Sequence, residues 1–233
     1  MIILRDETFR FVVNLRTSIK DGEEIGTGMF VVKGKTKPYL VTASHVARSC
    51  NAKTSVVLSN DKGNAVTLKL SDFDRNLTWR HHPVADLAAL PIKMSARLAY
   101  HMNDRCLPFD HFHTGRTPPS RDLSLTSVGF PHGLGTVGPF SPLSYRSYAS
   151  SAFVTLPRGD TQTLQTFFLL ENQSVSGYSG CPVFDLGYSV VGGEFTAISD
   201  KTKVYGLMHG ALPDVTGGNL SSVTPAFYLT DLL

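Results

Sequence analysis

The sequence predicts an all-β fold, and two observations lead to that prediction. Short runs of apolar and β-branched residues recur along most of the 233 residues, and turn-forming pieces such as Asp21-Gly22 and Asn60-Asp61-Lys62-Gly63 separate them. Short strands joined by such turns are typical of a sandwich or a barrel. A hydrophobic fraction of 42% with 18% charged residues is ordinary for a globular chain that buries a core.

The first half of the chain contains the first group of strand-like runs. These runs are Phe9 to Val13, Gly28 to Val32, Tyr39 to Thr42, Thr54 to Leu58, Val66 to Leu70 and Leu87 to Ile92. We assign residues 1–100 to a first barrel. Periodicity is weak from Ala99 to Arg121, where histidine and proline are frequent, so residues 101–121 are predicted to connect the two halves across the surface.

Strand-like runs return in the second half, which we assign to a second barrel at residues 122–233. These runs are Leu123 to Phe130, Tyr148 to Leu156, Gln165 to Leu170, Pro182 to Phe184, Ser189 to Val191 and Lys203 to Met208. In the tail, Pro225 stands at a first helical position before apolar residues at helical spacing. We expect a short C-terminal helix there, within one domain made of two subdomains.

Bulk properties exclude several classes of partner. The net charge is +3 and the basic residues are scattered, so no nucleic-acid partner is predicted. No apolar run approaches the roughly 20 residues of a membrane helix, and the first residues lack a signal-peptide pattern. The spacing of Cys50, Cys106 and Cys181 is not that of a disulfide framework. We therefore expect a cytoplasmic protein without a membrane partner, a metal or another cofactor.

Three segments carry residues that can perform nucleophilic catalysis. Gly177-Tyr178-Ser179-Gly180-Cys181-Pro182 places a serine between glycines, as a nucleophile loop does. A serine hydroxyl needs a base and an orienting carboxylate. His45 follows the apolar run that ends at Val41, and Asp86 opens another apolar run. The order along the chain is His, Asp, Ser, whereas subtilisin-like chains have Asp first and α/β-hydrolases have Ser first.

With these residues, the chain resembles the trypsin-like (chymotrypsin-fold) serine proteases, particularly bacterial and viral members without secretory disulfides. Besides the three segments above, Gly26 to Val32 resembles the family's glycine-rich strand, and Val204 to Gly210 resembles the strand that borders the substrate. Ser127 to Gly135 is similar to a stretch in high-temperature-requirement proteases. The resemblance implies two six-stranded antiparallel Greek-key barrels and a protein or peptide substrate, and it leaves room for a regulatory partner protein.

The resemblance also implies roles for individual residues. Ser179 is the nucleophile of an acyl-enzyme mechanism, His45 is its general base and Asp86 orients the histidine. The backbone amides of Gly177 and Ser179 form the oxyanion hole. The residues expected to bind the substrate are Gln173, Ser174, Met208, His209, Gly210 and Ala211. Tyr178 stands where secreted relatives carry an aspartate that captures a newly cut N-terminus, so activation by trimming is not expected.

Some alternatives stay open at this point. Asp72 and Asp74 compete with Asp86 as the orienting carboxylate. Cys106, with His111 and His113, has the residue types of a zinc site, although a solvated loop is favoured. The same fold can also serve as a catalytically silent peptide-binding module, whose cleft edge near residues 208–211 adds a peptide strand. Ester hydrolysis is a third function open to the same site.

Overall fold

The protein is built from two antiparallel β-sheets, which confirms the all-β prediction. The computed structural model describes residues 1–20, 22–34, 36–213 and 219–233. The first sheet contains β1 (Val12–Ile19), β2 (Gly22–Lys33), β3 (Lys37–Thr42), β4 (Ser55–Ser59), β5 (Ala65–Lys69), β6 (Arg80–His81), β7 (Ala88–Pro91) and β8 (Leu107–Pro108). Its strand order is β5-β4-β1-β2-β3-β7-β6, with β8 pairing in parallel with β2.

The second sheet has seven strands in the order β10-β9-β13-β16-β17-β12-β11. Its strands are β9 (Leu125–Gly129), β10 (Leu143–Ser147), β11 (Val154–Pro157), β12 (Leu164–Leu170), β13 (Pro182–Asp185), β16 (Lys203–Pro213) and β17 (Asn219–Pro225). A separate hairpin consists of β14 (Tyr188–Val191) and β15 (Glu194–Ala197).

The strand count and closure differ from the two six-stranded barrels implied by the resemblance. The sheets have eight and seven strands, and their strand order is open among the described residues. One added strand, β8, comes from the segment predicted to be a connection. The division into subdomains at 100 and 121 stays a prediction, although the first sheet already extends to Pro108.

Helices are short and few in the described part of the chain. They are α1 (Arg5–Thr8), α2 (Ser44–Ser49) and α3 (Ala96–Met102). The predicted C-terminal helix is a 3-10 helix, Ala226–Asp231, which follows Pro225. None of the described helices has the length and apolarity needed to cross a bilayer. All three cysteines are free thiols.

A shared core holds the two sheets together. Val31 and Val41 of the first sheet belong to the same buried cluster as Val128, Phe184 and Leu207 of the second. Each sheet also has its own core on its other side. Because interiors pack nearly as densely as crystals, this shared cluster fixes how loops from the two sheets meet. The candidate site lies where those loops come together.

Candidate active site

His45 and Asp86 are brought into direct contact by two loops of the first sheet. His45 lies in the first turn of α2, directly after β3, and Asp86 lies just before β7, which pairs with β3. His45 Nδ1 is 2.7 Å from Asp86 Oδ2, and the His45 backbone N–H donates to Asp86 Oδ1 at 3.0 Å. One carboxylate therefore satisfies a free amide at the start of α2 and orients the imidazole ring on the same residue.

The Asp86 carboxylate is fully buried and accepts four hydrogen bonds. Besides the two from His45, Oδ1 accepts from Arg158 Nη2 at 3.0 Å and Oδ2 accepts from His209 Nδ1 at 2.5 Å. Burial by itself raises the pKa of this carboxyl, but the hydrogen bonds and charges of His209 and His45 outweigh burial and hold the pKa well below its usual range. Asp86 is therefore ionised at neutral pH.

The second sheet supplies much of the environment of Asp86 through the β11–β12 hairpin. Arg158, at the tip of this hairpin, is 2% exposed and also donates to the Val84 carbonyl and to the Asp160 carboxylate. The Gln165 side-chain carbonyl accepts the Asp86 backbone N–H at 2.6 Å. The hairpin thus connects the two sheets at the carboxylate, and the placement of Asp86 depends on both of them.

His209 reaches Asp86 because β16 contains an irregularity at that residue. Met208 pairs with Val223 and Gly210 with Ser222, so His209 is an extra residue in the register with β17. Such bulges redirect a side chain relative to the regular alternation. The ring is buried, and its Nε2 accepts the Gly159 N–H at 3.4 Å. Because Nε2 accepts a hydrogen bond, the neutral ring carries its proton on Nδ1, and this N–H group donates to Asp86.

His45, Asp86 and His209 are the only group in the described ranges with the composition and proximity of a metal site. Their distances are those of hydrogen bonds: 2.7 Å and 2.5 Å from the two Nδ1 atoms to Asp86 Oδ2. Two ligands of one tetrahedral zinc ion, each about 2.1 Å from it, lie roughly 3.4 Å apart. The cluster therefore fits a proton-bearing network better than a zinc site.

The loop around Ser179 is held by backbone contacts that only glycine allows. Gly177 has a φ of +98°, and a Cβ on it would lie 2.2 Å from the Phe130 carbonyl oxygen. Gly180 has a φ of +84°, and a Cβ there would lie 2.1 Å from the Thr27 carbonyl oxygen. Thr27 Oγ1 donates to the Gly177 carbonyl at 2.7 Å. The glycines of the sequence motif thus allow the close approach of neighbouring backbone.

Ser179 and His45 line the same cavity, which has a volume of about 440 Å³. Ser179 Oγ donates to the His209 carbonyl at 3.2 Å, and no hydrogen bond to His45 is present among the described residues. The backbone amides of Gly177 and Ser179 likewise have no acceptor within the described part of the chain. Two amides without partners beside the serine are what an oxyanion hole requires before substrate binds.

The residues predicted to bind substrate differ in how far they are exposed to solvent. Gln173 and Ala211 are exposed, and Ser174 and Gly210 are half-buried. Met208 packs in the core of the second sheet and is 1% exposed. The His209 ring is turned to Asp86, so its placement does not support contact with a substrate side chain.

The competing residues lie elsewhere. Asp74 accepts from Thr78 and pairs with Lys93 at 2.8 Å, and Asp72 accepts the Lys69 backbone N–H. His111 Nδ1 lies 2.8 Å from the Thr202 carbonyl. His113 Nε2 contacts Thr117, and Cys106 joins no ligand group in the described residues. Neither the alternative carboxylates nor the zinc hypothesis gains support from these contacts.

Sequence reasoning misses Arg158 and Gln165 and the role of His209. Arg158 follows a strand and precedes a polar turn, where arginine is ordinary. For Gln165, the sequence predicts only that it lies in a strand. The one available signal is His209 itself, because it lies on the strand predicted to border the substrate. The direction of the His209 side chain depends on the bulge in β16, and no pattern in the sequence predicts that bulge.

Comparison with known proteins agrees with the fold. A family model described as a trypsin-like peptidase domain matches residues 26–192. Among solved structures, the chain is similar to the active form of the Rv3671c protease from M. tuberculosis, with a TM-score of 0.63 and 16% identity over 98% of this chain and 81% of that one.

Two further structures show the same likeness of fold. The MamO protease domain from Magnetospirillum magneticum has a TM-score of 0.58 and 16% identity, covering 96% of each chain. The serine endoprotease from Yersinia pestis has a TM-score of 0.54 and 19% identity, covering 96% of this chain and 61% of that one. No curated protein sequence matches this chain. Because the family model spans well over half of the sequence, the chain belongs to the trypsin-like peptidase domain family.

Proposed function

We propose that the protein is a serine endopeptidase that hydrolyses peptide bonds through an acyl-enzyme intermediate on Ser179. The observation that carries the proposal is the 2.7 Å hydrogen bond between His45 Nδ1 and the fully buried Asp86 carboxylate, on a histidine that lines the same cavity as Ser179. Family membership supports peptidase chemistry in general. The assignment of the three roles rests on this geometry and on the order of the residues.

In the proposed reaction, the Asp86 carboxylate holds the His45 proton on Nδ1, which leaves Nε2 free to accept the Ser179 proton. Ser179 Oγ attacks the peptide carbonyl carbon, and the amides of Gly177 and Ser179 stabilise the oxyanion that forms. His45 then gives its proton to the leaving amine. Water repeats the sequence on the acyl-enzyme and releases Ser179.

Ser179 must change its hydrogen-bond partner for this reaction. Its hydroxyl donates to the His209 carbonyl in this structure. In the proposed reaction, the hydroxyl exchanges this acceptor for His45 Nε2. Catalytic hydrogen bonds in free enzymes are often formed fully only with substrate present. The resting contact with His209 equally suits a catalytically silent peptide-binding module, which is the second candidate function.

We further propose that His209 and Arg158 are positioning residues. Neither side chain is hydrogen-bonded to Ser179 in the described residues; both side chains bind the carboxylate that orients His45. Together with His45 they occupy the acceptor positions of Asp86, so the carboxylate cannot rotate without breaking hydrogen bonds to charged or buried groups. A fixed carboxylate keeps the His45 ring in one tautomer and one orientation.

Covalent labelling by a fluorophosphonate probe, detected by intact mass, tests the function. We expect a single adduct on the native chain and none on Ser179→Ala. Ser176→Ala is the matched control, because Ser176 lines the same cavity and has no assigned role; this variant should label like the native chain. Failure of the native chain to label would reject the proposed chemistry and favour the silent peptide-binding module.

A further inference from the structure

The cavity beside Ser179 lies on one side of the catalytic residues. Its walls come from the β1–β2 hairpin, from α2 and from the loop before Ser179. None of the residues 208–211 of β16 belongs to its lining. If the acyl part of a substrate lies along β16 at Gly210 and Ala211, two of the residues predicted to bind substrate, this cavity is on the opposite side of the catalytic residues. That side faces the leaving amine, because the amine takes its proton from His45.

The cavity wall combines apolar surface with one uncompensated carboxylate. Leu15 and Val46 provide apolar lining. Glu23 pairs with Arg16 at 3.6 Å, whereas Glu24 has no ion-pair partner in the part of the chain that the structure describes. A negative charge at the edge of a cavity with an apolar stretch in its wall suits a long side chain that ends in a cation.

Cys50, a further lining residue, does not add a second negative charge. Burial raises the pKa of its thiol to about 11, and hydrogen bonds from Thr17 and Thr54 only partly oppose this effect. The Glu24 carboxylate contributes to the same rise. The Glu24 carboxylate therefore acts electrostatically on a group that lines the cavity, whereas the Cys50 thiol is itself uncharged at neutral pH.

We propose that this cavity is the subsite for the residue that follows the scissile bond, and that it selects lysine or arginine through Glu24. The proposal rests on the proposed function, since it needs an acyl-enzyme with a leaving-group side. The aliphatic stem lies along Leu15 and Val46 and the cation lies near the Glu24 carboxylate. A volume of about 440 Å³ is sufficient for such a side chain.

Acyl transfer tests the subsite without knowledge of the acyl-side specificity. p-Nitrophenyl acetate acylates Ser179: the Oγ–C bond forms, the ester C–O bond breaks and p-nitrophenolate leaves. The amine of an amino-acid amide then attacks the acetyl carbon, the C–Oγ bond breaks, and the amine proton passes through His45 to Ser179 Oγ. Mass spectrometry measures the acetylated products from equimolar lysinamide, norleucinamide and glutamic acid α-amide. Norleucinamide is the control nucleophile because it has the lysine stem without the ammonium group.

We expect lysinamide to be captured about three- to fivefold more than norleucinamide at low salt, which is the range of a partly exposed ion pair, and less at 0.5 M salt. Glu24→Gln should remove this preference, and Glu24→Lys should reverse it toward glutamic acid α-amide. Glu194→Gln, an exposed carboxylate on β15, is the control that should retain it.

Two failures are distinguishable. A p-nitrophenol burst that Ser179→Ala abolishes, combined with equal capture of lysinamide and norleucinamide, would overturn the subsite and leave the proposed function standing. The same conclusion follows if Glu24→Gln retains the native preference. Absence of a burst that depends on Ser179 would overturn the proposed function and the subsite together.

Discussion

Replacing His209 gives the sharpest test of how the site is held together. His209→Leu removes the Nδ1–H that donates to the buried Asp86 carboxylate at 2.5 Å. It introduces an apolar side chain of similar length in place of the imidazole. A hydrogen bond to a charged group contributes about 1.5–3 kcal/mol. If the loss acts fully on the orientation of His45, the rate of reaction at Ser179 falls by about 10- to 150-fold.

His209→Asn is the matched variant, because the asparagine amide nitrogen stands at the position of Nδ1. We expect it to recover most of the rate that leucine loses. The assay is the second-order rate constant for fluorophosphonate labelling, which needs no known substrate. If His209 had only a structural role, both variants would have a lower unfolding free energy. The labelling rate would then not depend on whether the side chain at position 209 donates a hydrogen bond to Asp86. Native-like labelling of His209→Leu, or no recovery in His209→Asn, would refute the positioning role.

The same substitution changes stability with pH. The pKa of Asp86 is lowered in the folded protein, chiefly by His209 and His45 acting against burial. A lowered folded pKa contributes stability that is fully present above the unfolded value of about 3.9 and is lost as pH falls from that value through the folded pKa. His209→Leu raises the folded pKa toward the unfolded value, so the variant is less stable at neutral pH and should lose less further stability than the native chain as the pH falls below about 5. Urea unfolding from about pH 7 down to about pH 3 measures the difference.

The contacts around the site lead to three further predictions. Arg158→Met leaves Asp86 without its buried cation and should reduce the unfolding free energy by about 3–5 kcal/mol, measured by chemical denaturation. Gly177→Ala places a Cβ against the Phe130 carbonyl at a positive φ and should cost at least about 2 kcal/mol and abolish fluorophosphonate labelling. Burial raises the pKa of Cys50 to about 11, so its thiol in the native chain should react about 100-fold more slowly with Ellman's reagent at pH 8 than in the unfolded chain.

Each of these predictions has a clear contrary result. Native stability of Arg158→Met would mean that the guanidinium is not needed to compensate the carboxylate. Full labelling of Gly177→Ala would mean that the amide of this residue takes no part in the oxyanion hole. Fast modification of Cys50 in the folded protein would show that the thiol is neither buried nor neutral.

Most strands could be predicted from sequence because their signal is local. Runs such as Tyr39 to Thr42 and Gln165 to Leu170 consist of residues that favour a pleated, half-buried surface, and the structure places strands on both. Short pairings were not predictable: β8 has two residues and exists because it lies beside β2 in the folded chain. The α2 helix was also not predictable, since its six residues are too few for a visible helical period.

What the sequence by itself determined is the list of reactive groups and their order. His45, Asp86 and Ser179 lie in segments whose glycines and apolar flanks predict the proposed roles, because each signal lies within a few residues. The surroundings of Asp86 were decided only by the tertiary structure. Arg158 and His209 reach it from another sheet, one through a hairpin that crosses between the sheets and the other through a bulge in β16. Such contacts depend on packing between residues 72 and 123 positions apart, and no local pattern encodes them.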